Sequence, residues 1–126
     1  MKLLRLKTLL LVLLLPLLFG LGCDRSSAPP SPLSAAEMPA IFTKAFGKAK
    51  PEVKAVADQI VAAVQAQDYS TAFNGLNSFV GKGNLTKEQT EVTSRALLTV
   101  NNLLQEAQAK GDAKAAETIK VYHSTK

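Results

Sequence analysis

Cysteine and histidine each occur once in these 126 residues, as Cys23 and His123. A single thiol excludes an internal disulfide, so any fold must stand on its core alone. A single histidine argues against hydrolytic triads, which need an imidazole held by a partner, and His123 stands near the end of the sequence, a poor place to preorganise a base. With no second histidine and no spare thiol beside it, the usual zinc-binding sets are missing as well. A phosphate-binding glycine loop is also lacking: Gly81-Lys82-Gly83 has neither the Gly-Lys-Ser/Thr ending nor a preceding strand. The carboxylates Glu37, Glu52, Asp58, Asp68, Glu88, Glu91, Glu106, Asp112 and Glu117 are scattered over helix starts and polar faces. The sequence therefore predicts no catalytic residue, no metal ligand and no cofactor, and a protein that is not an enzyme.

What is present begins with Lys2, Arg5 and Lys7 ahead of an apolar run from Leu9 to Phe19. That is a charged n-region followed by an h-region. The run is shorter than the roughly 20 apolar residues of a membrane-spanning helix. Pro16 inside it would also remove a helical hydrogen bond. A cleaved signal over residues 1–22 is expected. The run closes on Gly20-Leu21-Gly22-Cys23, which resembles the lipobox of bacterial lipoproteins. The small Gly22 matches that family, whereas Gly20 stands where it usually has leucine. The resemblance implies a diacylglycerol on the Cys23 thiol, cleavage in front of that residue, and a lipid-anchored domain in the cell envelope, facing the periplasm or the cell exterior. Asp24 follows directly, and in enteric lipoproteins an aspartate there favours retention in the inner membrane.

Removing residues 1–22 takes away three basic and no acidic side chains, which lowers the formal charge from +5 to +2. Much of the basicity thus belongs to the export signal, and no nucleic-acid partner is expected, because that footprint needs a basic face on the folded domain. After Cys23 the chain reads Asp-Arg-Ser-Ser-Ala-Pro-Pro-Ser-Pro-Leu, Asp24 to Leu33. Proline and serine in this density build no core, so residues 23–33 read as lipidated cysteine and flexible linker. Extended at ~3.1 Å per residue, such a linker spans about 30 Å.

From Ser34 to Lys126 the signals are helical. Ser34-Ala35-Ala36-Glu37 spells a capping box, but Pro39 falls too far inside a helix started there, so the first firm helix is placed from Pro39 to Gly47. Met38, Ile41, Phe42, Ala45 and Phe46 share its apolar face. A second helix runs from Pro51 to about Gln67, with Val53, Val56, Ala57, Ile60, Ala63 and Val64 at spacings of three and four. Asp68 caps a third, striped by Tyr69, Ala72, Phe73, Leu76, Phe79 and Val80 and stopped by Gly81-Lys82-Gly83-Asn84. Asn74-Gly75 inside it is also a hairpin signal, but the flanking runs do not alternate. Helix is preferred, with Gly75 allowing a neighbour to approach. Thr86-Lys87-Glu88-Gln89 is a second capping box. It opens a long helix with Val92, Ala96, Val100, Leu103, Leu104 and Ala107 on one stripe, widened by Leu97 and Leu98 and stopped at Gly111. Asp112 caps the last helix, in which Ala116, Ile119 and Tyr122 face inward while His123 to Lys126 fray.

These elements predict an all-α, mostly antiparallel bundle of four to five helices over residues 34–126. Gln67-Asp68-Tyr69-Ser70-Thr71-Ala72 and Gly111-Asp112-Ala113-Lys114-Ala115-Ala116 lie 44 residues apart, each between two helices. In type they resemble the helix hairpins of tetratricopeptide repeats, whose period is nearer 34. Such hairpins present surfaces to proteins. The expected function is a non-catalytic interaction or accessory module held at the membrane by lipid, with a protein partner. One alternative is an envelope tether, since the chain's Lys126 resembles the terminal lysine through which an abundant enteric lipoprotein is tied to peptidoglycan. The other is a carrier of small ligands or lipid, favoured if Phe42, Phe46, Phe73 and Phe79 lined an unfilled pocket.

Overall fold

Proline sets the start of the first two helices, where a missing N–H costs nothing and φ is already near the helical value. The computed structural model describes residues 28–126, so the signal segment, Cys23 and Asp24 lie outside the described residues. Helix α1 spans Met38–Phe46 with Pro39 in its first turn, and α2 spans Pro51–Gln65 with Pro51 as its first residue. Ser34 does not cap α1 with its side chain. Its carbonyl instead accepts from the N–H groups of Glu37 and Met38, 3.2 and 2.9 Å, forming the turn that enters the helix.

Side-chain caps start the other three. Asp68 precedes α3 (Tyr69–Phe79) and accepts from the Thr71 N–H at 3.1 Å. Thr86 precedes α4 (Lys87–Ala109) in a complete capping box: Gln89 N–H donates to the Thr86 hydroxyl, and Thr86 N–H donates to Gln89 Oε1. Asp112 precedes α5 (Ala113–Ser124), accepting from Ala115 N–H at 3.0 Å. Helix α5 runs through Ser124, so His123 is helical and not part of a frayed tail.

Helix α1 packs on α2 and α4, α2 on α3, and α3 on α4, which closes four helices around one core, while α5 lies on α4 and α3. Phe42, Phe46 and Phe79 stack at that centre with ring centroids 4.6, 5.2 and 6.4 Å apart. Met38, Ile60, Leu76, Val100 and Leu104 belong to the same core, all essentially buried. These rings fill the core. Gly75 is helical as expected, and its missing side chain is used, since a Cβ there would stand 2.7 Å from Ile60 Cγ1 of α2.

The two turns 44 residues apart are the same device. Gln67 and Gly111 have positive φ, 58° and 93°. The next N–H reaches back to a carbonyl five residues earlier, Asp68 to Ala63 at 2.8 Å and Asp112 to Ala107 at 3.0 Å. This is the left-handed helix stop, followed at once by an aspartate cap for the next helix. The glycine at 111 signals it in the sequence, and the glutamine at 67 does not.

Several expectations shift by a residue or a face. Ala115, not Ala116, is the buried alanine of α5; Val80 is 56% exposed; and Leu103 is only half-buried beside the fully buried Leu104. Among the described residues four polar ones, Ser70, Gln89, Thr93 and Thr99, are buried. The folded part also begins earlier than composition implies. Leu33 is 5% exposed, its carbonyl accepts from the Thr99 hydroxyl at 2.7 Å, and the Ser31 carbonyl accepts from Arg95 Nε at 2.9 Å. Residues 31–33 are thus laid along α4.

Candidate functional site

Helix α5 is the element least engaged with the core, for Ala115 is its one fully buried residue. Besides the packing of Ala115 and Ile119 on the core, three features position it. Asp112 caps its start. Tyr122 meets Phe73 of α3 edge to face, with centroids 5.0 Å apart at 84°, the geometry that the ring quadrupoles favour. Lys114 donates to both carboxylate oxygens of Asp68, at 2.9 and 2.8 Å, tying the two matching turns together. The Lys114 ammonium, and after it the Thr71 hydroxyl, hold the Asp68 carboxyl below its ordinary pKa of 3.8. Both partners are solvent-accessible, so this is a positional tie of small energy.

A helix held so lightly leaves a groove on either side. Between α4 and α5 lies one of about 660 Å³, with Phe73, Leu97 and Ile119 among its apolar lining and Asn101, Gln105 and Gln108 as amide groups. Leu98, 39% exposed, and His123 also border it. Between α3 and α5 a second hollow of about 450 Å³ shares Phe73 and Tyr122 and is bordered by Val121, 49% exposed. Apolar residues flanked by carboxamides can seat an apolar side chain and hydrogen-bond the backbone that carries it.

The residues singled out by sequence fall as follows. Cys23 and Asp24 are outside the described residues. His123 is exposed on α5, its ring 5.9 Å from that of Tyr122. The Lys126 ammonium stands 4.9 Å from the Tyr122 ring centre. Asp58 pairs with Lys54 at 2.7 Å, one turn away on α2. Gly81 and Gly83 lie in an open connection where nothing approaches their Cα hydrogens. Among the described residues no three His, Asp or Glu side chains converge to hold a metal ion. No described helix is long and apolar enough to cross a membrane.

Sequence reading missed the groove. Leu97 and Leu98 were legible as a widening of the α4 stripe that calls for further neighbours, but α5 is short and covers only part of it. No family model, curated protein or solved structure matches the chain.

Proposed function

We propose that the chain is a bacterial envelope lipoprotein, anchored through lipid on Cys23, whose helical domain is a non-catalytic interaction module. The anchor is supported by the charged start, the short apolar run and the Gly22-Cys23 junction. Asp24 favours the inner membrane, with the domain in the periplasm. The observation that carries the interaction role is the α4–α5 groove, whose apolar lining is left uncovered by a lightly held helix and bordered by the exposed Leu98. A protein segment with an apolar anchor residue is the occupant it suits.

The test is site-specific photocrosslinking in cells. A photoreactive residue replacing Leu98 is compared with one replacing Gln59, which is exposed on α2. One discrete protein adduct from position 98, absent from position 59, supports the reading. A lipid or muropeptide adduct, or the same adduct from both positions, overturns it.

A further inference from the structure

The lysines of the folded domain are not evenly spread. Lys48 and Lys50 lie on the α1–α2 connection, Lys82 on the α3–α4 connection, and Lys87 opens α4; all four are exposed. Topology brings these segments together. Lys50 and Val53 border the same hollow as Lys82, Gly83 and Asn84. Gln89 Nε2 of α4 donates to the Ala45 carbonyl near the end of α1, at 3.2 Å. Glu52, Glu88 and Glu91 are the acidic groups at this pole, against these four lysines and Lys44 in the last turn of α1, which leaves lysine in excess. The opposite pole carries the turns capped by Asp68 and Asp112, with Glu106 and Lys110 beside them, and there Lys114 is already paired to Asp68. A domain close to neutral overall is therefore polarised along its length.

The path of residues 31–33 gives that polarity a direction. The Leu33 carbonyl is bound at Thr99 and the Ser31 carbonyl at Arg95. Followed backwards, the chain runs down α4 toward Lys87. At 1.5 Å per residue, the start of α4 is about 12 Å beyond Arg95. Residues 23–30 reach about 25 Å if extended at ~3.1 Å each. An anchor at Cys23 can therefore set the lysine pole on the bilayer and leave the α4–α5 groove, which begins about 15 Å along α4 from Lys87, clear of it.

We propose that the pole formed by the α1–α2 and α3–α4 connections docks on anionic phospholipid head groups. This rests on the lipid-anchor reading. Basic residues next to an anionic bilayer are attracted within a Debye length, so the docking is salt-sensitive, and each lysine removed should weaken it about fivefold.

The experiment uses the mature, full-length protein in vesicles of phosphatidylcholine alone or mixed with phosphatidylglycerol. Acylation leaves Cys23 without a thiol, so Asn84→Cys and Ala109→Cys each give one labelling site, at the lysine pole and toward the opposite pole. Fluorescence of each label is read against head-group quencher lipids. The account predicts strong quenching at position 84 and little at 109 when phosphatidylglycerol is present. High salt, or the triple change Lys48→Gln, Lys50→Gln and Lys82→Gln, should lower the quenching at 84 several-fold. Equal quenching at the two positions, or indifference to phosphatidylglycerol and salt, overturns the docking while leaving the anchor intact. Failure to float with neutral vesicles overturns the anchor reading and this orientation with it.

Discussion

Gly75 of α3 and Ile60 of α2 share one space: a Cβ on the glycine would come 2.7 Å from Ile60 Cγ1 and 3.3 Å from its Cδ1. Two effects of opposite sign meet in Gly75→Ala. Helix propensity favours alanine by about 1 kcal/mol, while overpacking a tight core costs about 1 to 3 kcal/mol. Ile60 is buried and β-branched, so its χ1 cannot swing aside freely. The substitution should therefore destabilise. In an Ile60→Ala background the same change should become neutral or stabilising, a coupling that a double-mutant cycle by denaturant unfolding measures.

Leu103 and Leu104 look equivalent on the α4 stripe, but Leu104 is fully buried and Leu103 half-buried at the Tyr69 side. Leu104→Ala should cost about 2 to 5 kcal/mol, a large share of the roughly 5 to 15 kcal/mol that holds an ordinary domain. Leu103→Ala should cost about 1 kcal/mol. Thermal melts of the two variants rank them directly, and equal losses would place Leu103 in the core.

Helix existence and type were legible because caps and apolar spacing agree: Asp68, Thr86 and Asp112 each begin the helix they spell. Burial of single side chains was less legible, because a stripe fixes a face and not how far a neighbour covers it. Leu98 continues the α4 pattern yet stays 39% exposed at the groove's edge, while its neighbour Leu97 is half-buried in the groove lining. Buried Thr99 was hidden for the opposite reason. Its role depends on Leu33, and a proline-rich segment gives no local sign that its end will fold back onto a helix 66 residues away.

Thr93 is 2% exposed and its hydroxyl has no hydrogen-bond partner among the described residues. A buried, unmatched hydroxyl lowers stability, and an apolar group of the same shape removes that loss. Thr93→Val should leave stability unchanged or raise it by up to about 1 kcal/mol. Thr99→Val should do the reverse, because it strips the Leu33 carbonyl of its donor, and should speed hydrogen exchange in the segment after Pro32. Guanidinium unfolding and exchange mass spectrometry give the two readouts.

The Asp68–Lys114 contact sets an acid-side dependence. Folding lowers the Asp68 pKa below 3.8, so between the two values the unfolded chain binds more protons and stability rises with pH. The contribution is complete above that window and lost as pH falls through the folded value. Asp68→Asn keeps a competent cap but loses the ion pair. It should cost under about 1 kcal/mol at neutral pH, and the difference from the parent should vanish in strong acid. A difference unchanged by pH would mean that the ion pair contributes nothing.

The central claim is that Cys23 becomes the first, lipidated residue of the mature protein. Intact and N-terminal peptide mass spectrometry of the protein purified from cell membranes tests it most directly. The account predicts a chain that begins at Cys23 and carries the mass of a diacylglycerol. A mature chain with an unmodified Cys23 thiol, or one that retains residues before it, would contradict the account.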